Sequence, residues 1–215
     1  MMNRLLLLSL LVLAAPQVFA QPWDEQFAAF TAADKVKPPQ PGGILFVGSS
    51  SIRLWDGLEG QFEMPLLIKR GFGGSQLSDV VLHVELLVIR YAPKVVVLYA
   101  GDNDLAAGRT PEYVRDQFIA FATAVHQALP DTRVAFVSIK PSPSRRIYLD
   151  NARAANTLIE NFAKGKKNIE YIDIFTPMLD KNGLPRPELF RADALHLNEA
   201  GYELWTSIIR PRLVR

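Results

Sequence analysis

A three-layer α/β domain, with a doubly wound parallel sheet covered by helices on both faces, is predicted by three features of this sequence. Five short runs are mostly continuous Val, Ile, Leu and Phe, as expected of strands covered on both faces. Helix-period segments separate them, which implies parallel strands joined by right-handed crossovers. The first three runs break into segments rich in glycine, serine or asparagine, where open sheets of this kind place their ligands. With 215 residues, 49% hydrophobic and 21% charged, the chain has enough apolar surface for one sizeable core.

Residues 1–20 stand apart from that domain. Arg4 precedes the apolar run Leu5 to Ala15, and Val18, Phe19 and Ala20 form a small-x-Ala site before Gln21, the layout of a cleaved secretory signal peptide. Pro16 interrupts the run, which is shorter than the about 20 residues a spanning helix needs. The expectation is therefore a secreted or periplasmic protein with no stable membrane insertion after cleavage. No cysteine is present, which excludes disulfides, thiolate metal sites and thiol lipidation. Cleavage removes Arg4, one of 24 basic residues, and none of the 22 acids, so the formal charge falls from +2 to +1. That balance gives no electrostatic reason to expect nucleic acid as a partner.

A helix from about Trp23 to Lys35 comes next, and the Pro-rich stretch Lys37 to Pro41 cannot continue it. Residues 21–41 thus form an N-terminal helix and link, and residues 42–215 the main domain. Strands are expected near Ile44 to Val47, Leu66 to Lys69, Lys94 to Tyr99, Arg133 to Ile139 and Ile169 to Ile174. Helices should begin near Ser75, at Thr110 with Pro111 and Glu112 in the first turn, near Arg146, and at an Asn198 cap. No repeats or low-complexity tracts occur.

The unusual residues gather beyond the carboxyl ends of these strands. Asp193 and His196 lie three residues apart ahead of the last helix, so one loop can hold a carboxylate against an imidazole. A carboxylate so placed fixes the histidine tautomer and stabilises the imidazolium formed when the ring takes a proton from a nucleophile. After the first strand, Gly48 permits a sharp turn into Ser49, Ser50 and Ser51. Ser50 is the preferred nucleophile; spacing alone leaves Ser49 and Ser51 open, as it does a plain helix cap. Gly71, Gly73 and Gly74 can expose backbone N–H groups to a developing oxyanion, and Asn103 can offer a side-chain amide. The bland alternatives are a strand-to-helix turn for the glycines and an Asx-type turn for Asp102, Asn103 and Asp104. Gln76 stands where a dinucleotide fingerprint needs its third glycine. Of the remaining histidines, His83 and His126 read as ordinary helical residues. His196 with Asp193 and Asp102 makes a poor metal set, and no metal is expected. Trp55, Phe72 and Phe190 could line a pocket but read first as core aromatics, and Arg145 and Arg146 could meet an anionic substrate group but read first as cations of a solvated loop.

These blocks resemble those of the SGNH hydrolases, the GDSL esterase and lipase family. FVGSSSIRLW is similar to the first block, GFGGSQ to the second, AGDND to the third and DALH to the last. The resemblance covers nearly the whole chain after residue 20, and its short layout is closest to the platelet-activating-factor acetylhydrolase branch. It implies a flavodoxin-like sheet of order 2-1-3-4-5, with no cofactor. The triad would be Ser50, His196 and Asp193, and the oxyanion hole the N–H groups of Ser50 and Gly74 with the Asn103 amide. The usual Gly-Asp-Ser reads Gly48-Ser49-Ser50 here. Ile52 replaces the second glycine of G-x-S-x-G, which argues against the ordinary α/β-hydrolase. The expected activity is hydrolysis of small-molecule or carbohydrate esters, with short acyl or O-acetyl groups favoured. The rivals are a non-catalytic carbohydrate- or envelope-binding module and a flavin-binding protein; four complete blocks speak against the first.

Overall fold

The computed structural model describes residues 23–213, so the expected signal peptide lies outside the described residues. Five parallel strands, β1 Ile44–Gly48, β2 Leu67–Gly71, β3 Val95–Tyr99, β4 Arg133–Val137 and β5 Ile169–Ile172, form one sheet of order β2-β1-β3-β4-β5. Gly48 pairs with Gly71 on one side and Tyr99 on the other. The order reverses at β1, so the chain ends of β1 and β3 lead away from each other and leave a crevice between them.

Period-two alternation divides the strand side chains between two cores. Leu45, Val47, Val96, Leu98, Val134 and Phe136 face one layer of helices, made of α1 Asp24–Val36, α4 Leu77–Leu82, α5 Val84–Leu87, α7 Pro111–Ala128 and α8 Leu149–Ala163. Phe46, Val97, Tyr99, Ala135 and Val137 face the other, made of α2 Ser50–Arg53, α3 Leu58–Phe62 and α9 Glu199–Leu213. A last short helix, α6 Asp102–Ala106, follows β3. Helix α1 is part of this body: Phe27 is buried in the first core, Trp23 Nε1 donates to the Gly73 carbonyl at 2.8 Å, and Asp34 pairs with Arg70.

The predicted caps at Thr110 and Asn198 are present. Thr110 Oγ1 accepts from the Tyr113 N–H at 3.2 Å, and Asn198 Oδ1 accepts from the Gly201 N–H at 3.0 Å; each such cap is worth about 1 kcal/mol. Boundaries differ where local geometry intervenes. β2 starts one residue later than expected because Leu66 takes a left-handed φ of 60°. The helix expected near Arg146 begins at Leu149, after a 3-10 stretch, Pro143–Tyr148, that contains a non-helical Arg145.

Candidate active site

Strand β1 ends on Gly48, whose φ is 136° and whose Cβ, if present, would stand 1.8 Å from the Tyr99 carbonyl oxygen. Only glycine lets the two strand ends approach this closely. The Ser49 N–H donates to the same oxygen at 3.0 Å, and the chain then turns into α2. That turn separates the three serines. Ser49 and Ser51 are fully buried, and their hydroxyls meet no partner among the described residues. Ser50 reaches the crevice, with Oγ 3.0 Å from His196 Nε2.

The histidine loop is held largely by its own bonds. The Arg191 N–H donates to the His196 carbonyl at 2.8 Å, while Asp193 Oδ1 accepts from the N–H groups of Leu195 and His196, each at 2.9 Å. Asp193 Oδ2 lies 2.7 Å from His196 Nδ1. The His196 N–H, then its imidazole, then the Leu195 N–H hold the Asp193 carboxyl well below the usual carboxylate range. An ionised carboxylate only accepts, so Nδ1 carries the imidazole proton and Nε2 faces Ser50 as an acceptor.

Across the crevice, Gly74 has φ 76° with open space where a side chain would stand, so the backbone conformation is what requires glycine. Among the described residues, no acceptor takes the N–H of Gly74 or of Ser50. Asn103 is fixed at both ends of its amide: Nδ2 donates to the Ser75 carbonyl at 2.9 Å, and Oδ1 accepts from Arg145 Nη2 at 2.8 Å. The second Nδ2 hydrogen remains for a ligand. Ser50, Gly74, Asn103 and His196 line one open cleft of roughly 560 Å³.

Buried charges support the Asn103 side. Asp102 pairs with Lys140 at 2.7 Å and with Arg145 at 3.1 Å, and Lys140 Nζ also donates to the Tyr99 hydroxyl at 3.0 Å. Burial pushes the Asp102 carboxyl up, but two cations outweigh it and leave the group below its ordinary value. At Lys140 burial outweighs the pull of the Asp102 carboxylate and the neighbouring Arg145 cation adds to it, so its pKa falls. Asp104 is fully buried and accepts the Leu77 N–H with both oxygens at 3.1 Å, tying α6 to the start of α4. Burial pushes its carboxyl up to about 6.

The structure thus brings Ser50, His196, Gly74 and Asn103 to one cleft, with Asp193 bonded to His196. Asp102, Asn103 and Asp104 form a one-turn helix in place of an Asx turn, since both carboxylates have buried partners. Arg145 is not a solvated loop cation but an anchor of Asn103, whereas Arg146 is exposed. Trp55, Phe72 and Phe190 are core residues. His83 packs against Phe27 at 4.8 Å, and His126 bonds the Thr132 carbonyl at 3.0 Å. Sequence reasoning missed Gln26, Arg53 and Leu195, which also line the cleft. Arg53 had a signal, since it lies one helical turn after Ser50.

A family model for the GDSL-like lipase/acylhydrolase family matches residues 47–204. No curated protein matches the chain. Among solved structures, a provisionally named platelet activating factor from Streptococcus pneumonia superposes with a TM-score of 0.78 at 21% identity, over 88% of this chain and 92% of that one. A GDSL-like lipase from Bacteroides thetaiotaomicron gives 0.71 at 24% identity, over 86% and 97%. A carbohydrate esterase of family 3 from Talaromyces cellulolyticus gives 0.65 at 18% identity, over 80% and 96%. At these identities the superpositions establish a shared fold.

Proposed function

The chain belongs to the GDSL-like lipase/acylhydrolase family and is a carboxylic ester hydrolase, and we propose that it works through an acyl-enzyme on Ser50. His196 Nε2 takes the proton from Ser50 Oγ as that oxygen bonds to the ester carbonyl carbon. The resulting oxyanion accepts from the N–H groups of Ser50 and Gly74 and from Asn103 Nδ2. As the carbon–alkoxide bond breaks, the imidazolium returns its proton to the departing alcohol. Water then attacks the acyl carbon, with His196 again as base, and Ser50 recovers its proton as the acid leaves. Asp193 holds the ring and stabilises the imidazolium throughout.

The 3.0 Å contact between Ser50 Oγ and His196 Nε2 carries this reading, because the other two serines are buried. A short acyl group suits the cleft, whose lining includes one aliphatic side chain, Leu195, among the described residues. Export to the periplasm or medium rests on residues 1–20 and is checked by the N-terminus of the mature protein, expected at Gln21. No described helix is long and apolar enough to cross a membrane. Ser50→Ala should abolish labelling by a fluorophosphonate and lower kcat on 4-nitrophenyl acetate by about 10⁶-fold. Labelling lost instead in Ser49→Ala or Ser51→Ala would move the nucleophile.

A further inference from the structure

We propose that this cleft selects esters carrying an anionic oxyacid group, carboxylate or phosphate, beside the scissile bond, and that Arg53 is the residue that takes it, with Arg145 as a second cation lining the cleft. The inference deepens the esterase reading and rests on it. Gly73 carries the first observation. Its φ is ordinary, so its backbone does not call for glycine; a Cβ there would stand 2.9 Å from Arg53 Nε, with Nη2 and Cζ next nearest. The missing side chain therefore seats a guanidinium against the backbone beside Gly74. No carboxylate pairs with Arg53 among the described residues, and its exposed side chain lines the cleft.

Arg145 supplies a second, independent excess of positive charge. It shares the carboxylate of Asp102 with the buried Lys140, and among the described residues neither cation is in contact with a second carboxylate. Among the described residues lining the cleft, two are arginines and none is acidic. A site that flanks its nucleophile with guanidinium groups and offers one aliphatic side chain repels little that is polar and gives a long acyl chain little to bury. Guanidinium forks match carboxylate and phosphate oxygens in pairs, so an anion on the substrate gains directional, charge-assisted bonds.

The test compares matched acetyl esters: 2-, 3- and 4-acetoxybenzoate, the corresponding acetoxyphenyl phosphates, and the neutral acetoxybenzamides. For the best isomer, kcat/KM should exceed that of its amide by about tenfold, and the excess should shrink as salt is raised. The benzoate and phosphate arms tell which oxyacid is preferred. Arg53→Gln should bring the ratio of anionic to neutral kcat/KM close to one, and Arg53→Lys should restore part of it. Protection of Ser50 from a fluorophosphonate by hydroxybenzoates over hydroxybenzamides reads the same preference without turnover. Neutral esters cleaved as fast as every anionic isomer would overturn the inference and leave the esterase reading standing. So would a ratio that survives Arg53→Gln. Failure to cleave any ester or to label Ser50 would remove both.

Discussion

His196 and Asn103 line the same cleft as Ser50, but the two walls they stand on are held in different ways. On the histidine side, Asp193 is about half exposed, at 48%, and its partners lie within three residues of it. On the asparagine side, Asp102 and Lys140 are buried, the Ser75 turn and Arg145 hold the amide of Asn103 in α6, and Lys140 bonds Tyr99. The carboxylate of the first wall is held by its own loop, so it can be changed chemically with little effect on the fold. The second is part of the core, where an unpaired group costs stability as well as rate. Residues 144 and 145 bridge the two: Ser144 donates to the Ala194 carbonyl through its N–H at 3.1 Å and Oγ at 3.0 Å, while Arg145 binds Asn103.

The largest effect that separates the walls belongs to Asp193→Asn. The amide leaves the backbone contacts in place but favours the wrong imidazole tautomer, so kcat should fall about 10⁴-fold. Thermal unfolding should move little, because the side chain is exposed; a large drop in Tm would show that this carboxylate is not held by its own loop alone. Asn103→Ala should lower kcat roughly 10²-fold to 10³-fold, the usual loss for one oxyanion donor. Arg145→Gln, read on a neutral ester, should lower kcat roughly tenfold by loosening Asn103, and it should lower Tm as well. If Arg145→Gln slowed the reaction without any thermal cost, the contrast between the walls would fail.

Asp104 gives the smallest and most local test. Its folded carboxyl titrates near 6, above the ordinary value of 3.8, so the folded state binds more protons than the unfolded one between those pH values. Stability from this group therefore falls as pH rises through that window. Relative to Asp104→Asn, the wild type should lose on the order of 2 kcal/mol between pH 4 and pH 7 in denaturant titrations. Parallel curves would mean that Asp104 is not buried as described.

The same contrast explains what the sequence revealed. The strands were legible because most of them are runs of apolar residues, continuous in β1 and β3, and Asp193 with His196 because their partnership is local in the chain. Ser50 could not be separated from its neighbours by spacing; the turn after Gly48 buries the other two. Lys140, Arg145 and Asp104 were not recognised because their partners lie 27 to 42 residues away, and no periodic pattern encodes contacts that depend on the packed sheet. The short helices α2, α3, α5 and α6, at four to five residues each, are too brief for apolar periodicity to register.

Rapid acid quench of the enzyme with 4-nitrophenyl acetate, followed by mass analysis of its peptides, tests the central claim most directly. An acetyl group on Ser50, formed within the first turnover and absent from the His196→Ala protein, is the result this account predicts. Nitrophenol release with Ser50 unmodified at every time, or with the acetyl group on another residue, would contradict it.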